Sequence, residues 1–180
     1  MVNFREKMLS FRHLCYKNGY LFAAFLIPVI LMGIAYISFG IYPFGGRSVL
    51  SLDLNAQYVF YFDYVHDVIG NGESLMYSWS RNLSGEFMGI IGYYLASPFN
   101  ILVWIFPRSM ITEGLLTMML AKFGACGVTF ALFAHKSQKL SKTTAALFAP
   151  MYALCAYMIV QTMDPVSYTH LRAHETTLHL

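Results

Sequence analysis

The side chains able to do chemistry gather in one stretch: Asp53, Asp63 and Asp67, with Arg47 ahead of them and Arg81 behind. A carboxylate held against a substrate hydroxyl serves as a general base. An arginine fork grips a phosphate or a carboxylate through two parallel bonds. Lys122 stands apart, inside an apolar run where a charge is costly unless it is paired or faces a cavity. Each of these residues also has a plainer reading. Asp53 suits a helix N-cap, and Asp63 and Asp67 suit the solvated face of a helix. Arg81 suits a surface charge or a lipid-headgroup contact, and Lys122 suits a snorkelling side chain or a pair needed only for packing. His66 reads as a solvated residue on a helix flank. The sequence holds no glycine-rich phosphate loop and no nucleophile elbow, and no cluster of cysteines or histidines with metal-ligand spacing. Cys15, Cys126 and Cys155 are too scattered for a disulfide framework or a zinc site, and read as small apolar residues.

The elements that position these residues are set by hydropathy. Of 180 residues, 57% are hydrophobic and 12% charged, about half the usual charged share, and the mean hydropathy is +0.52. Too few charges remain to cover the surface of a soluble domain. The net charge of +3 does not point to nucleic acid. Three segments have the length and polarity of a membrane span, which takes about 20 apolar residues: residues 20–39, residues 111–134 with Lys122 inside, and residues 143–162 with Pro150 in the middle. A fourth apolar stretch, 89–106, is interrupted by Ser97, Pro98 and Asn100.

Basic residues mark cytoplasmic loops. The N-terminal 19 residues carry Arg5, Lys7, Arg12 and Lys17 against Glu6, and the loop at 135–142 carries three lysines and no acid. Both are expected to be cytoplasmic, which places two crossings between them and residues 40–110 outside. Residues 89–106 then enter as a re-entrant or interfacial segment broken at Ser97-Pro98. The first span is expected to be retained as an anchor, because its apolar core exceeds a typical signal-peptide core and no small-x-small cleavage site follows.

The external loop of about seventy residues is where function is expected, since structureless loops of such length are uncommon. It opens on a turn-forming run, Tyr42-Pro-Phe-Gly-Gly46. Residues 53–70 then follow helical spacing. Asp53, Gln57, Phe60, Asp63, Tyr64 and Asp67 share one side, and Leu54, Tyr58, Tyr61, Phe62, Val65, Val68 and Ile69 the other. Such a helix is expected to lie flat on the membrane with its carboxylates in water. Asn71-Gly72 marks its end.

Four blocks carry a resemblance: Tyr42-Pro-Phe-Gly45; Ser51-Leu-Asp-Leu-Asn-Ala-Gln-Tyr58; Leu75-Met-Tyr-Ser-Trp-Ser-Arg-Asn-Leu-Ser-Gly85; and Gly92-Tyr-Tyr-Leu-Ala-Ser-Pro-Phe-Asn-Ile-Leu102. In order and spacing they resemble the N-terminal part of the YfhO family of bacterial membrane proteins, over roughly residues 15–163. The resemblance implies a GT-C-like fold with many transmembrane helices, in the bacterial plasma membrane. It further implies glycosylation of teichoic-acid-type cell-envelope polymers with a sugar carried on a polyprenyl phosphate. The family's first-loop aspartate falls on Asp53, and Arg81 falls where the family tends to place a basic residue. Arg47 is a weaker candidate for the donor phosphate, and Asp63, Asp67 and Lys122 are supporting candidates. No metal ligand is assigned, although a divalent metal is an alternative source of positive charge at the leaving phosphate.

From Pro165 the character of the sequence changes. Val166-Ser-Tyr-Thr-His-Leu-Arg-Ala-His-Glu-Thr176 matches one reading frame of the transposase end and adapter used in tagmentation sequencing libraries. Residues 166–180 are therefore expected to be non-native, and the chain to be an N-terminal fragment, inactive by itself. The expected whole is an all-α polytopic membrane protein with about three transmembrane helices and a long external loop. Two other function classes fit the same features: a lipid-linked-sugar flippase or transporter, and a small membrane subunit without chemistry.

Overall fold

The computed structural model describes residues 4–50, 54–72, 74–78, 85–95 and 97–163. Helix α1 (Phe4–Ser38) takes up the basic N-terminal stretch and the first span without a break. Thirty-five residues make it about 52 Å long, more than a bilayer core requires. A tight turn follows. Tyr42 N–H donates to the Arg47 carbonyl (2.7 Å) and Arg47 N–H to that of Gly40 (3.0 Å). Gly40 has φ +63°, and a Cβ at Gly45 would collide with the Gly40 backbone, so the turn requires both glycines.

Leu54–Tyr58 then winds as a π-helical turn and passes directly into α2 (Val59–Asn71), giving one helix over the expected stretch. Gly72 closes it at φ +68°, its N–H donating to the Val68 carbonyl, as the Asn71-Gly72 signal implied. Strands β1 (Tyr77–Ser78) and β2 (Gly85–Glu86) form a two-residue antiparallel ladder. The apolar stretch after it is broken: α3 (Met88–Ile90), a π-helical turn at Ile91–Leu95, a 3-10 turn at Pro98–Asn100 and α4 (Ile101–Ile105). Proline at 98 removes an N–H donor and holds Ser97 extended, which separates the two halves. Among the described residues no single helix there is long enough to cross a bilayer.

After Pro107, a 3-10 turn at Arg108–Met110 leads into α5 (Ile111–Lys136). Ser141 caps α6 (Lys142–Ala153), its hydroxyl accepting from Thr144 N–H, and α7 (Ala156–Met163) follows. Among the described residues, two helical segments are long and apolar enough to cross a membrane, Asn18–Ser38 and Arg108–Lys136. The α6–α7 pair makes a third if it crosses as one bent span. This is the all-α membrane class that hydropathy indicated. One feature was not foreseen: the third span bends by 59° between α6 and α7. The bend lies at Leu154–Cys155, beyond Pro150, where Cys155 N–H reaches the Tyr152 carbonyl at 3.3 Å and tightens the last turn.

Small residues bring α1, α5 and α6 together. A Cβ at Gly124 would lie 2.5 Å from the Phe25 ring, and one at Gly127 would fall on the Ala24 carbonyl. Ala24, Ala131, Ala134, Ala145 and Ala149 are all buried in one cluster. Membrane helices, which gain no hydrophobic free energy from leaving lipid, associate through such close backbone approach.

The second core surrounds the Arg108 end of α5. Leu54, Tyr58, Phe62 and Val65 pack there with Tyr36, Val103, Leu115, Met118 and Met119. The apolar side of the 54–71 helix is thus covered by protein, with Phe62, Val65 and Val68 each 1% exposed. This corrects the expectation that it lies apolar face down on lipid. Ile69, placed on the same side by periodicity, is 60% exposed at the helix end.

Candidate functional site

Helix α2 is fixed by its buried face, and its opposite face carries Asp63 and Asp67 one turn apart. Side chains at i and i+4 stack on one side of a helix, so the two carboxylates open in the same direction. Arg108, at the start of α5, meets both. Its Nε donates to Asp63 Oδ1 (2.5 Å), its Nη2 to Asp63 Oδ2 (2.7 Å), and its Nη1 to Asp67 Oδ1. One guanidinium fork therefore engages both oxygens of Asp63 and reaches a second acid. The three side chains remain 37–54% exposed, so each pair contributes modestly to stability. Their main effect is positional: they pin the helix that follows Asp53 to the mouth of α5.

Beside this cluster lies an open cleft of about 280 Å³, lined by Phe60, Tyr61, Asp63, Tyr64, Asp67, Ser78, Phe87 and Ile90. Phe87 is the hinge of its aromatic wall, standing edge-on to Tyr64 (4.5 Å between ring centroids) and to Tyr61 (6.4 Å). Ser78, on β1, is buried at the cleft's edge. The cleft is thus lined by aromatic rings together with two carboxylates. A ligand with both apolar faces and hydroxyl donors, such as a sugar ring, matches that combination.

A second link ties the turn after α1 to α5. The Tyr42 hydroxyl donates to Glu113 Oε1 at 2.9 Å. That bond and the charge of Glu113 push the Tyr42 phenol above its ordinary value.

The other candidates are placed as follows. Asp53 and Arg81 lie outside the described residues, as do residues 166–180. Asp53 directly precedes the 54–71 helix in sequence, and Arg81 falls between β1 and β2. Arg47 is exposed in the Gly40–Arg47 turn and its side chain has no ion-pair partner among the described residues. Lys122 is half-buried in mid-α5, about 21 Å along the helix from Arg108, so it does not join the cluster. The residue that sequence reasoning missed is Arg108, one of three arginines between residues 40 and 110. Its signal was its place at the entry to the second span, immediately after Phe106-Pro107. Asp63 and Asp67 do not form a metal site by themselves. Arg108 occupies three of their oxygens, and among the described residues no group of three or more metal-ligating side chains comes together.

Compared with known protein families, residues 23–166 match the one described as Bacterial membrane protein YfhO. No curated protein and no solved structure matches the chain.

Proposed function

Since the chain belongs to the YfhO family of bacterial membrane proteins, we propose that it carries the acceptor side of a membrane glycosyltransferase. The enzyme moves a sugar from a polyprenyl-phosphate donor to a teichoic-acid-type cell-envelope polymer on the outer face of the bacterial plasma membrane. The observation that supports this most is the carboxylate-edged aromatic cleft at the Arg108 end of the spans, on the helix that begins just after Asp53. In this reading the N-terminus is cytoplasmic and the cleft faces outward, at the depth where a lipid-linked donor presents its headgroup.

Asp53 takes the proton of the acceptor hydroxyl as that oxygen attacks the anomeric carbon, and the bond from that carbon to the phosphate oxygen breaks. The leaving phosphate gains negative charge, and Arg81, with Arg47 as a second cation, stabilises it. Asp63 and Asp67 accept from acceptor hydroxyls through the lone pairs that Arg108 leaves, and Phe87, Tyr61 and Tyr64 support a ring face.

The test is Asp53→Asn in cells that depend on the protein for polymer glycosylation. The change keeps size and removes basicity, so polymer-bound sugar is expected to fall by about 10²-fold or more. Unchanged glycosylation would refute the base assignment. The flippase reading draws on the broken α3–α4 segment, a feature shared with transporters. It is separated by product: a flippase changes the sidedness of the lipid-linked sugar in vesicles and makes no glycosidic bond.

A further inference from the structure

Lys122 lies fourteen residues from either end of the Arg108–Lys136 span. At 1.5 Å per residue that is about 21 Å from each end, and the apolar core of a bilayer reaches only about 15 Å either side of its centre. A lysine side chain extends about 6 Å, so from the middle of α5 it falls well short of the headgroups and snorkelling does not serve it. A lipid phosphate is excluded as its partner on the same ground.

No counter-charge meets it among the described residues. Asp63 and Asp67 are held by Arg108 at the far end of the helix. Glu113 is nine residues up α5, which places it on the opposite side, and it accepts from Tyr42.

The surface around Lys122 changes character at that residue. Ile111, Leu115 and Met118 fall within about 40° of it on the helix, and all three are buried. Gly124, Gly127, Ala131 and Ala134, which pack toward α1 and α6, lie about 120–180° away. Below Lys122 its own stripe continues through Thr129 and Phe133, and both are exposed, Phe133 by 55%. Thr129 returns its hydroxyl to the Cys126 carbonyl (2.9 Å) and so needs no further partner. Lys122 does.

We propose that this open stripe of α5 is the docking face for a transmembrane helix bearing an Asp or Glu at mid-membrane depth, which pairs with Lys122. Charge complementarity identifies the occupant, because an apolar helix or lipid alone would leave the ammonium unmatched. The pair would also fix the register of the incoming helix, as a single buried polar contact does in other helix assemblies.

The experiment uses the protein expressed from its own gene in its own membrane. Lys122→Met keeps length and removes charge. Loss of the lysine strands the partner's carboxylate, so the steady-state level is expected to fall several-fold, while Lys122→Arg holds it. A level that is unchanged or higher with methionine would mean that lipid faces this stripe, and would overturn the proposal. A photo-cross-linking residue at Thr129 then identifies the neighbour. The expected adduct is an apolar segment of about 20 residues with one acid near its centre, and neutralising that acid in the Lys122→Met background is expected to restore the level. An adduct to lipid alone, to a second copy of the α5 span or to a segment without an acid contradicts it. So does a failure of the second change to rescue.

Discussion

Gly127 and Gly33 are both glycines inside apolar helices, and the same substitution is expected to act on them with opposite sign. A methyl group at Gly127 would fall on the Ala24 carbonyl oxygen and reach within 3.2 Å of Pro28 Cγ. Both belong to α1, whose Ala24 is fully buried against α5. Because the obstacle is backbone, α1 must move by about 1 Å to restore ordinary contact, and overpacking of this kind costs about 1–3 kcal/mol. Alanine returns up to about 1 kcal/mol of helix propensity. The net for Gly127→Ala is a loss of up to about 2 kcal/mol, or up to roughly 8 °C in Tm at this chain length. At Gly33 nothing lies within 4 Å of an added Cβ, so Gly33→Ala keeps the propensity gain and is expected to match or exceed the parent. Thermal unfolding of both variants in the same detergent, followed by far-UV circular dichroism, measures the difference. If Gly127→Ala is as stable as Gly33→Ala, then α1 and α5 do not approach through Gly127.

Arg108→Gln is expected to lower Tm only slightly, because both pairs it breaks are exposed. The deficit should shrink in 1 M salt, where screening acts within about 3 Å. Asp63→Asn should cost more than Asp67→Asn, because Asp63 accepts two of the three arginine bonds. Tyr42→Phe removes the bond to Glu113. Since that bond raises the phenol's folded value above its ordinary 10.0, its stabilisation is fully present below pH 10 and disappears as pH rises through the raised value. The Tm gap between parent and Tyr42→Phe should therefore be constant from pH 7 to about 10 and close above it. Gly72→Ala forces a Cβ into the left-handed region at φ +68° and is expected to cost about 1 kcal/mol, read as a lower Tm.

The parts of the fold that were legible in the sequence are those where one residue type admits one environment. An uncharged run of twenty apolar residues has only the bilayer or a large core to occupy, and 12% charged residues are too few to cover the surface of a soluble domain around such a core. The 3.6-residue spacing from Leu54 to Val68 likewise fixed which side of that helix is buried. What covers that side was not legible, because Phe62 and Val65 are satisfied equally by acyl chains or by Leu115 and Met119. Choosing protein over lipid required knowing that the broken 88–105 segment folds over the same end of α5. The pairing of Asp63 and Asp67 with Arg108 was hidden for a related reason. Three arginines share the loop, their charges are identical, and only the path of the chain through Pro107 selects one. The bend at Leu154–Cys155 had no sequence mark of its own, since Pro150 stands a full turn earlier.

The most direct test of glycosyl transfer uses the protein purified from its own membrane in detergent, supplied with a radiolabelled polyprenyl-phosphate sugar and undecorated polymer. Label appearing in the polymer, reduced about 10²-fold or more by Asp53→Asn and less by Asp63→Asn, is the expected result. No transfer in detergent, together with protein-dependent movement of the labelled lipid across vesicle membranes, would contradict it and make the protein a carrier of lipid-linked sugars.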